Sequence, residues 1–172
     1  MIQEIQNIQD KVFKKLNLMI SDFTKDLECD EYFGYNFKLN QFNIKFRKAK
    51  VTHKKIGQFV TLWKRNPDTK ETEPFHYNDD FDFYIIYTEH ENNQGLFLFS
   101  KKVLIQHHIL TIESKEGKRG FRVYPKWDIA ENKQAIKTQN WQVQSFIDLS
   151  ELEDEVFKTT NNILFNNPLD KN

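Results

Sequence analysis

The segment Lys45–Arg65, KFRKAKVTHKKIGQFVTLWKR, contains eight Lys or Arg residues and no Asp or Glu. Apolar and polar residues alternate from Phe42 to Phe46, and residues 58–64 are rich in aromatic and β-branched types that favour strands. Residues 52–57 end in a flexible glycine, so we predict a loop there, between the strand that contains Phe42–Phe46 and the strand over residues 58–64. The segment is therefore predicted to form two strands and a connecting loop, with its first cations on or near the face opposite the aromatic rings.

Other segments balance this charge, because the chain has 25 Lys or Arg and 25 Asp or Glu residues. Asn66–Glu91 has eight acids against one lysine, Lys101–Lys126 has seven bases against two acids, and Asp148–Glu155 has five acids and no base. Such segregation predicts a basic face and an acidic face on one neutral protein. The alternative is that the oppositely charged segments pair with one another in the fold.

Length and composition predict one domain with a core built on aromatic rings. Only 38% of the 172 residues are apolar, but 16 Phe, six Tyr and three Trp bury a large area each. The single cysteine, Cys29, excludes an intrachain disulfide and a thiolate metal cluster. The N-terminus has no secretory signal pattern, and no segment approaches a bilayer span. We expect a cytoplasmic protein with no membrane contact, no resident metal and no cofactor.

Hydrophobic periodicity and turn signals divide the chain into helices and strands. Apolar residues at helical spacing run from Ile2 to Leu27, with a break predicted at Asn17. The predicted strands are Tyr35–Leu39, Phe42–Phe46, Phe81–Tyr87, Leu96–Phe99 and Phe121–Tyr124. Helices are predicted to start at Ser100, Asp128 and Ser150, and a turn is predicted at Asn66–Thr69. These elements predict a single α+β domain, residues 1–172. Its central, mainly antiparallel sheet carries packed N- and C-terminal helices, and residues 167–172 form a frayed tail.

The chain contains three different motifs in this order: Arg47-Lys-Ala-Lys50 continuing through Lys54–Arg65, Gly117–Pro125 with Trp127, and Thr138–Gln142. Together they resemble the MepB-like family of bacterial cytoplasmic proteins, over residues 32–147. The resemblance implies a nucleic-acid-binding role without an agreed catalytic mechanism. His53 stands where such proteins often have a proline, which affects the expected geometry of that loop.

The basic segments predict a site for nucleic acid or a phosphorylated small molecule. Strands present cations in rows that suit phosphate diesters, and aromatic and amide side chains suit bases. The predicted phosphate ligands are Arg47, Lys50, Lys54, Lys55, Lys64, Arg65, Lys118, Arg119 and Arg122. The predicted base contacts are Gln58, Trp63, Gln139 and Trp141. The alternative is a solvated basic surface with the tryptophans in the core.

Three further functions stay open as hypotheses. Asp82 at the start of a strand, with Glu113-Ser-Lys115, has the residue types of a Mg²⁺-dependent nuclease of restriction-endonuclease type. That signal is weak, because an E-x-K triplet is common by chance and Leu96–Phe99 carries no acid. The acidic loop Asp68–Asp82 is a possible protein-interaction surface, and a transition-metal site is conceivable at His76, Asp79, Asp80 and His90. A binding protein is preferred to an enzyme.

Overall fold

The computed structural model describes residues 1–165. The strands are β1 Ile20–Lys25, β2 Tyr35–Leu39, β3 Phe42–Lys48, β4 Lys50–Val51, β5 Gln58–Thr61, β6 Trp63–Arg65, β7 Thr72–Pro74, β8 Phe83–His90, β9 Asn93–Ser100, β10 Gly120–Val123 and β11 Phe146–Asp148. The α-helices are α1 Gln3–Ile8, α2 Lys101–Gln106, α3 Lys133–Gln142 and α4 Glu153–Phe165. Helical turns of other types cover Gln9–Phe13, Lys14–Leu16, Leu27–Tyr32 and Val143–Ser145. The predicted tail 167–172 lies outside the described residues.

A mixed central sheet has the strand order β1-β2-β3-β8-β9-β11. β3 and β8 run parallel, with Ile44 opposite Phe83, and the other neighbours run antiparallel. The tight β2–β3 turn is possible because Asn40 adopts φ 52°, a left-handed conformation that asparagine tolerates. The predicted α+β class, with a mainly antiparallel sheet and helices at both ends, is confirmed.

Each face of the central sheet is covered by its own core. On one face α1 and α4 contribute Ile8 and Val156, which pack with Phe46 and Ile85 of the sheet. The other face is covered by a second sheet of order β10-β5-β4 and by α2. β8 is buried on both faces, as its continuous apolar sequence predicts.

The helical prediction for the N-terminal segment is right only as far as Asn17. Asn17 adopts φ 57° and ends the helical region, so the predicted break is confirmed. Ile20 and Phe23 lie on β1 instead and pack against the first core. A bulge between Ser21 and Thr24 adds a residue to β1, which lets side chains three apart face the same side. The bulge therefore imitates helical spacing in the sequence.

Two other expectations need correction. The Asp128 helix start is wrong: α3 begins after Asn132, whose Oδ1 accepts a hydrogen bond from Ala135 N at 2.9 Å, and Ile129 is 81% exposed. The strand predicted over residues 58–64 divides at Leu62, because Leu62 N donates to Arg119 O at 2.8 Å. β5 therefore joins β10, whereas β6 pairs with β7 in a separate two-stranded sheet. The N-cap at Ser100 is confirmed.

Among the described residues, no helix combines the length and apolar character that a bilayer crossing requires.

Candidate nucleic-acid interface

Arg47 does not lie on an open surface, contrary to its expected place in a basic row. Its side chain is 0% exposed, and Nη2 lies 2.5 Å from Asp26 Oδ2. Nη1 donates to the carbonyl of Phe46 at 2.7 Å. Burial raises the pKa of Asp26, but the charge of Arg47 and the hydrogen bonds from Glu28 N and Arg47 outweigh it and lower that pKa below its ordinary value. Arg47 is therefore a structural ion-pair partner.

Carboxylates of the same chain also lie beside three other predicted phosphate ligands. The pairs are Lys50 Nζ with Glu31 (3.7 Å), Lys64 Nζ with Asp79 (2.7 Å) and Arg65 Nε with Glu28 (3.2 Å). Much of the basic segment is thus neutralised. Part of the neutralising charge comes from the acidic turn Leu27–Tyr32, which lies outside the acidic segments named from the sequence. Pairing between charged segments accounts for this part of the chain.

Two predicted base contacts are occupied by internal hydrogen bonds. Gln58 is buried, and its Nε2 donates to the carbonyl of Glu89 at 3.2 Å. Gln139 Nε2 donates to the carbonyls of Pro125 and Asp128 at 3.0 and 2.8 Å. Both amides hold the backbone in place and do not face solvent with free donors. Both were expected to meet bases, but their amide donors are already bonded to backbone carbonyls of the same chain.

Trp63 and Arg119 lie apart from the remaining predicted residues. Trp63 is on β6, where the Arg65 guanidinium lies 5.7 Å from its ring centroid. Arg119 donates to the carbonyl of Thr72 at 2.9 Å and lies 3.1 Å from Glu116. The division of the long strand at residue 62 places Trp63 on a different sheet from β5, and the Arg119 side chain bonds to β7 and does not line the cavity that contains Lys118.

Lys118, Arg122 and Trp141 do come together, in an open cleft between β10 and α3 with a volume of about 600 Å³. We call it the β10–α3 cleft. Its described lining residues contain no carboxylate and are His107, Ile109, Lys118, Gly120, Phe121, Arg122, Tyr124, Gln134, Lys137, Thr138, Asn140, Trp141, Gln142 and Gln144. Three of them are cations that have no ion-pair partner among residues 1–165, namely Lys118, Arg122 and Lys137. The cleft is therefore electropositive and rich in amides.

Helical geometry turns one face of α3 towards the cleft. Gln134, Lys137 and Trp141 are three and four residues apart, which places them on the same side of a helix. Gln142 attaches the end of α3 to β10: its Nε2 donates to Arg122 O at 2.9 Å and its Oε1 accepts from Tyr124 N at 2.8 Å. This buried amide sets the distance between the two walls.

Arg122 keeps its charge while it positions a neighbouring loop. Nη1 donates to the carbonyls of Ile56 and Gly57 at 3.2 and 3.1 Å, and Nη2 donates to Thr52 Oγ1. These partners are neutral, so they order the guanidinium without cancelling its charge. The same contacts fasten residues 52–57, which carry two of the predicted cations.

Those two cations, Lys54 and Lys55, line a second cavity of about 740 Å³ on that loop. Its walls also include Glu91, Asp128 and Glu131. Burial raises the pKa of the Asp128 carboxyl. The presence of acids distinguishes this cavity from the β10–α3 cleft and makes it a poorer phosphate site.

Trp141 and His107 form a stacked ring pair on the cleft wall. Their centroids are 3.9 Å apart with an interplanar angle of 6°, and Phe99 lies behind Trp141 with centroids 5.4 Å apart. Burial, helped by the charge of His108, lowers the pKa of His107, so the imidazole is neutral at pH 7. The pair offers a flat surface of the kind on which nucleobases stack.

Sequence reasoning did not identify His107, Lys137 or Gln142 as parts of this site. A signal for Lys137 was present, since α3 has a polar stripe with a single tryptophan at helical spacing. His107 directly follows the last residue of α2, and no sequence pattern connects it with the basic segments. Gln142 ends the motif Thr138–Gln142, but no local pattern indicates its role, because its partners are 18 and 20 residues away.

The nuclease candidates are placed as follows. Asp82 Oδ2 accepts from Asn43 N at 2.8 Å and so helps to align β3 with β8. Glu113 accepts from Tyr77 Oη at 3.4 Å, and the backbone of Lys115 pairs with Ile112. In residues 1–165 no group of three or more His, Cys, Asp or Glu is arranged to hold a metal ion.

The conceivable metal ligands His76, Asp79, Asp80 and His90 are not assembled into such a group in residues 1–165. Asp79 instead accepts from His76 N at 2.6 Å and pairs with Lys64, while His90 lies on the wall of the second cavity. The physical reason is that local turn hydrogen bonds and one lysine already satisfy the loop carboxylate.

The MepB-like family model matches residues 26–148 of the chain. The chain belongs to the MepB-like family. It is similar to the crystal structure of MepB, with 29% identity over 88% of this chain and 100% of that chain, and a TM-score of 0.76. It also has a distant likeness to a bacterial homing endonuclease, with 14% identity over 80% of this chain and 85% of that chain, and a TM-score of 0.45. No match was found among curated proteins.

The MepB-like region contains every described residue that lines the β10–α3 cleft. It leaves out α1, β1 and α4. The resemblance predicted from the three motifs over residues 32–147 is confirmed, with slightly wider bounds.

Proposed function

We propose that this MepB-like protein binds nucleic acid in the β10–α3 cleft. The observation that supports the proposal is the combination of three cations, no described carboxylate and a stacked ring pair in one open groove. Lys118, Arg122 and Lys137 contact phosphates, and Trp141 with His107 receives a base. Base stacking on an aromatic side chain contributes about 1–3 kcal/mol.

A single strand suits this groove better than a duplex, since its bases are free to stack. A phosphorylated small molecule would bind to the same groups. The two ligand classes are distinguished by whether affinity increases with the length of the nucleotide chain. A mononucleotide reaches the ring pair and one cation, whereas an oligonucleotide reaches all three. The expected cytoplasmic location belongs to this proposal too, since it brings the protein to nucleic acid.

Fluorescence anisotropy with a short labelled single strand tests the proposal. Three phosphate contacts predict a slope of log K against log salt of about −2 for single strands. Lys137→Glu should weaken binding by about tenfold or more, because it replaces a cleft cation with an anion. Lys133→Glu is the matched control: it lies on the same helix and does not line the cleft.

Equal effects of the two variants, or salt-independent binding, would contradict the proposal. The same oligonucleotide, incubated with Mg²⁺ and with EDTA, separates binding from the nuclease hypothesis. Cleavage that Asp82→Ala abolishes would favour the enzyme.

A further inference from the structure

A separate cavity of about 320 Å³ opens on the central sheet between β2, β3 and the loop before β8. It shares no described lining residue with the β10–α3 cleft. Lys45 lines it and is half-buried. This lysine is not among the proposed phosphate ligands, and the proposed function does not use it.

The ammonium of Lys45 has no carboxylate partner within ion-pair distance in residues 1–165. Nζ donates to Asn36 Oδ1 at 3.0 Å and lies 4.4 Å from the ring centroid of Phe75. Lys48, three positions further along β3, shows the usual alternative, because its ammonium lies 2.7 Å from Glu4 and 2.5 Å from Glu89. Partial burial without a counter-ion disfavours the charged form of Lys45.

Burial lowers the pKa of Lys45 to about 8, and the positive charge of Arg47 on the same strand adds to this effect. Asp26, Asp79 and Cys29 act in the opposite direction but do not outweigh burial. The Phe75 ring also favours the ammonium, by about 0.5–1 kcal/mol at an open site.

The other charged residues of the cavity have partners other than Lys45. Asp22 lies 3.1 Å from Lys38, and Asp80 accepts from Asn43 Nδ2 at 2.9 Å. Neither carboxylate is paired with Lys45. Lys45 and its hydrogen-bond partner Asn36 both line the cavity, so a small molecule that enters the cavity meets this side chain.

We propose that Lys45 is a covalent modification site that accepts a small acyl group from an acyl phosphate. The Nζ lone pair attacks the acyl carbon, an N–C bond forms and the C–O bond to phosphate breaks. Phosphate leaves with that electron pair, and the proton lost from nitrogen passes to phosphate. The products are an amide on Lys45 and inorganic phosphate, and no redox partner is needed.

Acetyl phosphate and the intact protein provide the test, with initial rates at each lysine followed by peptide mass spectrometry. At pH 7 an amine with a pKa of about 8 is roughly one-tenth neutral, against less than about one-thousandth for an ordinary lysine. Lower basicity reduces nucleophilicity, so we expect Lys45 to react about tenfold faster than Lys38. Lys38 is the matched control, because it lines the same cavity, is more exposed and is paired.

The rate at Lys45 should level off above a midpoint near pH 8, and its advantage should vanish in urea-unfolded protein. The proposal is overturned by a Lys45 rate no faster than that of Lys38. It is equally overturned by a rate that keeps rising beyond pH 10 as for ordinary lysines, or by an advantage that survives unfolding.

Discussion

Asp26 and Arg47 show how burial decides what a charged residue does. Arg47 is enclosed between the central sheet and the turn that follows Asp26, and its Nε has no hydrogen-bond partner in the described part of the chain. A buried charge that loses its partner is strongly destabilising, whereas an exposed pair contributes little. The same residue type therefore stabilises the fold at position 47 and remains available for a ligand at position 122.

Replacing Asp26 with alanine should lower the free energy of unfolding by about 3 kcal/mol, because it leaves the Arg47 guanidinium buried and unpaired. Urea unfolding measures this. Glu31→Ala is the control, since the Lys50–Glu31 pair is exposed and 3.7 Å long, and it should cause no measurable change. A similar decrease in the free energy of unfolding in both variants would contradict a larger contribution from the buried Asp26–Arg47 pair.

The same pair predicts a pH dependence. The pKa of Asp26 in the fold is below its ordinary value of 3.8, so the stabilisation is complete above that value. It is lost as the pH falls through the folded-state pKa and the carboxyl takes up a proton. The difference in stability between the wild type and Asp26→Ala should therefore shrink in acid.

Binding in the β10–α3 cleft should strengthen severalfold as the pH falls from neutral to below 6.5, the ordinary pKa of histidine. In the free protein burial holds the pKa of His107 low, and a bound phosphate would raise it, so protonation and binding favour each other. Anisotropy at several pH values measures this. His107→Gln should remove the pH dependence, and His108→Gln, which does not line the cleft, should retain it. Retention in both variants would contradict the role of His107.

At the scale of elements, α3 is attached mainly by polar contacts. Its buried residues are Ala135 and Gln142, so the helix has little apolar surface to fix its position. Gln142 compensates by bonding two backbone groups of the β10 segment. Together with the Gln139 hydrogen bonds and the packing of Trp141 on Phe99, this amide fixes the geometry of the cleft.

Gln142→Leu should lower the free energy of unfolding by about 2 kcal/mol, since it leaves two backbone polar groups without partners. It should also weaken nucleic-acid binding, because the walls of the cleft lose their fixed separation. Thermal unfolding and anisotropy measure the two effects. Gln106→Leu, at an exposed position on α2, should change neither. Unchanged binding in a destabilised Gln142→Leu would show that the amide does not shape the cleft.

For the whole molecule, two cores share one sheet. Alternate residues of β8 enter opposite cores, so Ile85 packs with the terminal helices and Ile86 packs under the second sheet. Trp127 and Trp141 lie against the second core. Loss of either core exposes the same strands, which couples the two.

Ile8→Ala in the first core should therefore lower stability by about 3 kcal/mol, as for other large-to-small core changes. The urea midpoints measured by tryptophan fluorescence and by far-UV circular dichroism should move together. A fluorescence midpoint that stays in place would show that the second core unfolds independently.

The sequence by itself determined the features that depend on neighbouring residues. These include the β2–β3 and β8–β9 hairpins, the Ser100 N-cap, the Asn17 break, the α+β class and the family motifs, because turn residues and side-chain period act over a few positions. The β1 bulge escaped this reasoning, since an inserted residue makes a strand resemble a helix.

Only the tertiary structure decided which cations are free. Asp26 meets Arg47 across 21 residues, and Gln142 meets Arg122 across 20. Charge pairing and burial depend on distance in space, and chain closure brings together residues that no local pattern connects. For that reason several cations of the predicted row form ion pairs with carboxylates of the same chain. Three other cations line one cleft, and two of these, Lys118 and Arg122, were predicted from the sequence.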